Sequence, residues 1–107
     1  MSQSLQVICF PTTEMTLTPS HESFGLDLKF TTAQMQNENN DSSSLFFNSL
    51  APKTGLMGHS MGGGASFLAA ENNSVISTLV TFAAAETNPS AISASQNITV
   101  PTLIFSG

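Results

Sequence analysis

The run Thr54-Gly55-Leu56-Met57-Gly58-His59-Ser60-Met61-Gly62-Gly63-Gly64-Ala65-Ser66-Phe67-Leu68-Ala69-Ala70 joins three things in one line: a short apolar stretch, a glycine-rich turn centred on a serine, and a block of small and apolar residues. Thr54–Gly58 reads as a short strand and Gly62–Ala70 as a helix. A sharp turn between them presents the Ser60 side chain clear of its own backbone. Such a turn is expected to crowd the positions two before and two after the serine, so that both need glycine; here they are Gly58 and Gly62. Gly63 and Gly64 extend the run and suit a helix packed closely on a sheet.

A serine hydroxyl is a weak nucleophile until a base takes its proton, and base and carbonyl must both reach it. Ser60 in this turn is the candidate nucleophile, with Gly58, His59, Gly62 and Gly63 as the elbow around it. The helix that follows aims its N-terminus at the site, where free N–H groups and the dipole favour developing negative charge. The N–H of Met61 is the candidate oxyanion donor. The five-residue pattern alone is a weak signal, and a strand before and a helix after supply its context. The bland alternative is a glycine-rich helix start with an ordinary serine. A phosphate-binding loop is disfavoured, because no Gly-Lys-Ser/Thr follows.

Working outward, Leu5–Phe10 is short, apolar and β-branched and stops at Pro11, so it reads as a buried strand. Pro11–Ser23 reads as a loop, in which Ser20 could cap a helix starting near His21 with Glu22 in its first turn. Phe24–Asn37 begins with alternating apolar residues, yet Leu26, Phe30 and Ala33 fit helical spacing, and a helix is the favoured reading. Asn37–Ser44 is a polar break and Leu45–Leu50 a short apolar stretch. Val75–Ala85 is a continuous apolar run, read as a fully buried strand. Thr87–Asn97 suggests a loop with a short helix, and Thr99–Ser106 another buried strand with Pro101 at its start. Strands without two-residue alternation, separated by helices, indicate an α/β fold with a parallel sheet covered on both faces, a three-layer α/β/α arrangement. The whole of residues 1–107 reads as a single domain.

Composition narrows the function. Charged residues make up 8% of the chain, with two basic residues and a net charge of −5. Two cations cannot form a phosphate-binding stripe, which argues against nucleic acid as a partner. The single cysteine, Cys9, allows neither an internal disulfide nor a zinc cluster and reads as a buried thiol. No stretch is long and apolar enough to span a membrane, and Met1-Ser2-Gln3-Ser4 does not open a signal peptide. The low-charge, Ser/Thr/Asn-rich composition leans toward export, leaving the compartment open.

The Thr54–Ala70 run resembles the nucleophile region of α/β-hydrolases, most closely the dienelactone hydrolase, cutinase and polyester hydrolase-like branch. Ile98–Gly107 resembles that family's seventh strand. The resemblance implies an incomplete α/β-hydrolase fold of about strands 4 to 7, with Leu5–Phe10 as the fourth strand and Phe24–Asn37 as the helix after it. It implies a serine esterase acting through an acyl-enzyme on a small-molecule or polymer ester, with no cofactor and no metal. It places the catalytic acid just after the seventh strand, the histidine later, and the second oxyanion donor after the third strand, none of which is found in these residues. The chain is therefore expected to be part of a longer hydrolase, with a gap in the sheet where the third strand would lie, and to turn over little ester alone. Glu86, after the Val75–Ala85 strand, is a candidate acid, with a pocket-lining or solvated carboxylate as the alternative. His59 reads as a packing residue beside the site and His21 as a helix-start histidine. Asp27, Glu38, Asp41 and Glu71 read as solvated. Two other functions compete: a non-catalytic remnant or binding module of this fold, and acyl transfer instead of hydrolysis.

Overall fold

In the computed structural model, residues 18–107 are described. The expected strand Leu5–Phe10, with Cys9, and the start of the expected loop Pro11–Ser23 lie outside them. The order of elements is α1 (His21–Asn40), β1 (Thr54–His59), α2 (Met61–Ala70), β2 (Ile76–Phe82), α3 (Ala91–Ser95) and β3 (Thr102–Phe105). The three strands form one parallel sheet in the order β1-β2-β3. Parallel strands joined by helices are the α/β class that the uninterrupted apolar runs implied.

α1 and α3 start where the sequence supplies a side-chain acceptor, whereas α2 has no side-chain cap at Ser60. Ser20 caps α1 by accepting from the Ser23 N–H at 3.2 Å, with Glu22 in the first turn. Ser90 caps α3 by accepting from the Ser93 N–H at 3.1 Å. α1 is longer than the apolar pattern suggested, because its packing face is small: Gly25 and Thr32 are its buried residues. A Cβ on Gly25 would lie 2.9 Å from the Leu68 Cβ, so glycine there lets α1 cross close to α2. Leu26 and Phe30, which carried the helical spacing in the sequence, point to solvent instead.

The core is built around α2, which is buried from Gly63 to Ala70 and packs on β1, β2, α1 and α3. Leu56 of β1, Ile76 and Leu79 of β2, Phe67 and Leu68 of α2, and Ala91 and Ala94 of α3 meet there. Among the described residues the helices cover this one face of the sheet. On the other face Met57, Leu103, Phe82 and Phe105 are exposed, and the last two stack with ring centroids 5.0 Å apart.

Two strands differ from expectation. β3 was expected to be buried but is exposed at all four positions, because among the described residues α2 packs on β1 and β2 while β3 has its main contacts with β2. β2 ends at Phe82, short of the expected Ala85, because Ala83 takes a positive φ of 44° and breaks the extended run. The Leu45–Leu50 stretch forms turns, with Leu45 96% exposed.

Candidate active site

β1 delivers the chain to Ser60, and α2 carries it away. At the junction Ser60 has φ 53° and ψ −120°, a region that side-chain-bearing residues rarely enter. Holding it there costs about 1–3 kcal/mol, which surrounding bonds must offset. Three backbone bonds act on this one residue. Its N–H donates to the Phe82 carbonyl at 3.0 Å, and its carbonyl accepts from Gly64 at 3.1 Å and from Ala85 at 3.0 Å. The end of β2 and the loop after it therefore hold the elbow from both sides.

The glycines of the elbow have unequal roles. A Cβ on Gly58 would come within 2.2 Å of the Gly62 carbonyl oxygen, so the strand and the helix start can meet only if this residue is glycine. A Cβ on Gly62 would meet nothing within 4 Å. The expectation that both positions are crowded is thus corrected: Gly58 is crowded by the Gly62 backbone, while Gly62 faces open space. Gly63 and Gly64 admit the loop after β2, where added Cβ atoms would lie 2.9 Å from the Ala84 Cβ and 2.4 Å from the Ala85 carbonyl oxygen.

The first bond within α2 runs from the Gly64 N–H to the Ser60 carbonyl. The N–H groups of Met61, Gly62 and Gly63 precede it and have no partner inside the helix, as at any helix start. They carry the positive end of the helix dipole beside Ser60. A half-open hollow of about 380 Å³ lies here, lined by Ser60, Met61, Gly62 and Ala65 of the elbow and α2, Met57 and His59 of β1, and Phe24 and Leu28 of α1.

The other candidates fall elsewhere. His59, the last residue of β1, is exposed at the rim of the hollow. His21 sits at the start of α1, where its Nδ1 accepts from the Asn88 N–H at 3.2 Å. Glu86 is exposed, and its carboxylate accepts from the Ile92 N–H at 3.1 Å, in the first turn of α3. Neither His21 nor Glu86 lines the hollow. No group of three or more His, Cys, Asp and Glu side chains suited to a metal occurs among the described residues. Sequence reasoning missed the α1 wall: Phe24 and Leu28 are four residues apart and share a helix face, but in the sequence they stand out only as part of an alternating apolar run. It also missed the clamps from Phe82 and Ala85, which act through backbone atoms and leave no mark in side-chain identity.

A parallel α/β sheet whose strand passes through a strained serine elbow into a helix defines a protein of the α/β-hydrolase type. The PET hydrolase-like family model matches residues 1–107, and the chain belongs to that family of ester hydrolases. No curated protein matches it significantly. No helix among the described residues is long and apolar enough to cross a membrane.

Proposed function

We propose that this chain carries the nucleophile of a carboxylic ester hydrolase. The Ser60 Oγ attacks the ester carbonyl carbon and loses its proton to a base. The tetrahedral oxyanion is held by the N–H of Met61 at the start of α2, and the alcohol departs with a proton to leave Ser60 acylated. Water then takes the acyl group as a free acid. Family membership extends the substrate class to polyesters as well as small esters.

The observation that carries this reading is the backbone of Ser60. A non-glycine residue at φ 53° clamped by three hydrogen bonds is strain held in place by its surroundings, a feature that clusters at functional sites. Glu86, bonded to the start of α3, is assigned a capping role instead of the acid's. One observation favours the second reading, a non-catalytic domain of this fold: among the described residues lining the hollow, His59 is the only titratable one. Acyl trapping separates the two. The protein is incubated with 4-nitrophenyl butyrate, quenched in acid and mapped by mass spectrometry. A butyryl group on Ser60, absent from Ser60→Ala, is expected; an unmodified Ser60 rejects the enzyme reading.

A further inference from the structure

We infer that His21 is a positioning residue for Ser60, acting through the loop that joins β2 to α3. This rests on the reading of Ser60 as nucleophile. Beyond the end of β2 the loop bears on the elbow twice. The Ala85 N–H donates to the Ser60 carbonyl at 3.0 Å. The buried Thr87 packs against the start of α2, where a Cβ on Gly64 would collide with the Thr87 Cγ2. The loop must therefore sit close on α2 for Ser60 to keep its φ of 53°.

Other side-chain bonds of the loop are local. The Thr87 hydroxyl donates to the Pro89 carbonyl at 2.7 Å, and Glu86 accepts from the Ile92 N–H at 3.1 Å. The bond from the Asn88 N–H to the His21 Nδ1, at 3.2 Å, differs in kind: it spans 67 residues and ties the loop to α1. α1 in turn packs closely on α2 at Gly25. Loop, α1 and α2 thus brace one another around the elbow, with His21 as the polar link. An Nδ1 that accepts means that the neutral ring carries its hydrogen on Nε2. His21 is half-buried and does not line the hollow beside Ser60, so it reaches the nucleophile only through Asn88 and Ala85. Loops open at lower free energy than the core they join. An anchor at Asn88 limits how often the nearby bond from Ala85 to Ser60 breaks.

The test sets the acceptor against the ring. His21→Phe keeps a planar ring and removes the acceptor. His21→Asn removes the ring and keeps an acceptor, Oδ1, as many bonds from Cβ as Nδ1 is. Amide hydrogen exchange of the ¹⁵N-labelled protein is followed at Ala85. The Leu79 N–H, bonded to the Pro101 carbonyl within the sheet, is the reference. His21→Phe should speed Ala85 exchange about fivefold relative to Leu79, the scale of one neutral hydrogen bond. His21→Asn should restore the wild-type ratio. In the same samples, fluorophosphonate labelling of Ser60 should slow in His21→Phe and recover in His21→Asn. An unchanged exchange ratio in His21→Phe, the reverse order of the two variants, or undiminished labelling of a folded His21→Phe overturns the inference. A wild type whose Ser60 is not labelled rejects the nucleophile reading instead, and the exchange ratios still decide whether His21 holds the elbow.

Discussion

The N–H of Ser60 donates to the carbonyl of Phe82 at 3.0 Å, and two residues beyond Ala83 the chain returns as the Ala85 N–H donates to the Ser60 carbonyl. The last residue of β2 and the loop behind it thus grip both peptide units that flank one residue. The elbow is a joint between two strands and a helix, and its shape depends on how closely their backbones approach.

Gly58→Ala should therefore be far more damaging than Gly62→Ala. The first drives a methyl into the Gly62 carbonyl, while the second points one into open space. Urea denaturation should show a loss of about 3 kcal/mol for Gly58→Ala. For Gly62→Ala it should show no loss, or a gain of roughly 0.5 kcal/mol from the better helix former.

Thr81, paired with Gly58 and Ile104 across the sheet, lies directly behind the elbow. Its hydroxyl is fully buried and has no hydrogen-bond partner among the described residues. Thr81→Val keeps the shape and removes that polar group. Thermal and urea unfolding should show stability unchanged or raised by about 1 kcal/mol.

Leu79 and Leu103 are both leucines in strands that read as buried, yet only one is. Leu79 is 0% exposed on the α2 face, and Leu103 is 54% exposed on the edge strand. Leu79→Ala should lose about 3 kcal/mol in denaturant unfolding, and Leu103→Ala less than about 1 kcal/mol.

This contrast marks what the sequence could and could not reveal. The elbow was legible because its rule is local: Gly58 must be small where Gly62 follows it. The cap at Ser20 was legible for the same reason, since Ser23 is three residues away. The exposure of β3 was not legible, because an apolar run records affinity for cover and not whether cover is present. The end of β2 was hidden because Ala83 adopts a positive φ with no glycine, asparagine or aspartate to signal it. From its place after a strand Glu86 reads as a candidate acid or a solvated carboxylate; that it accepts from the Ile92 N–H is a matter of loop geometry that the sequence does not display.

Asp41, just past α1, offers a check by titration. It accepts from both the N–H and the hydroxyl of Ser43, at 2.9 and 2.7 Å, and these bonds hold its carboxyl below the ordinary value. A lowered folded-state value means the contribution to stability is present above the unfolded value and is lost as pH falls through the folded one. Carboxyl NMR should show Ser43→Ala raising the Asp41 midpoint toward the ordinary range. An unchanged midpoint would show that Ser43 does not set it.

The most direct measurement of the central claim is a map of covalent labelling by a fluorophosphonate. The strained elbow predicts an adduct on Ser60 that disappears in Ser60→Ala, with Ser66, buried and bonded to the Gly62 carbonyl at 2.7 Å, left unmodified. An unlabelled Ser60, or labelling that persists in Ser60→Ala, would contradict it.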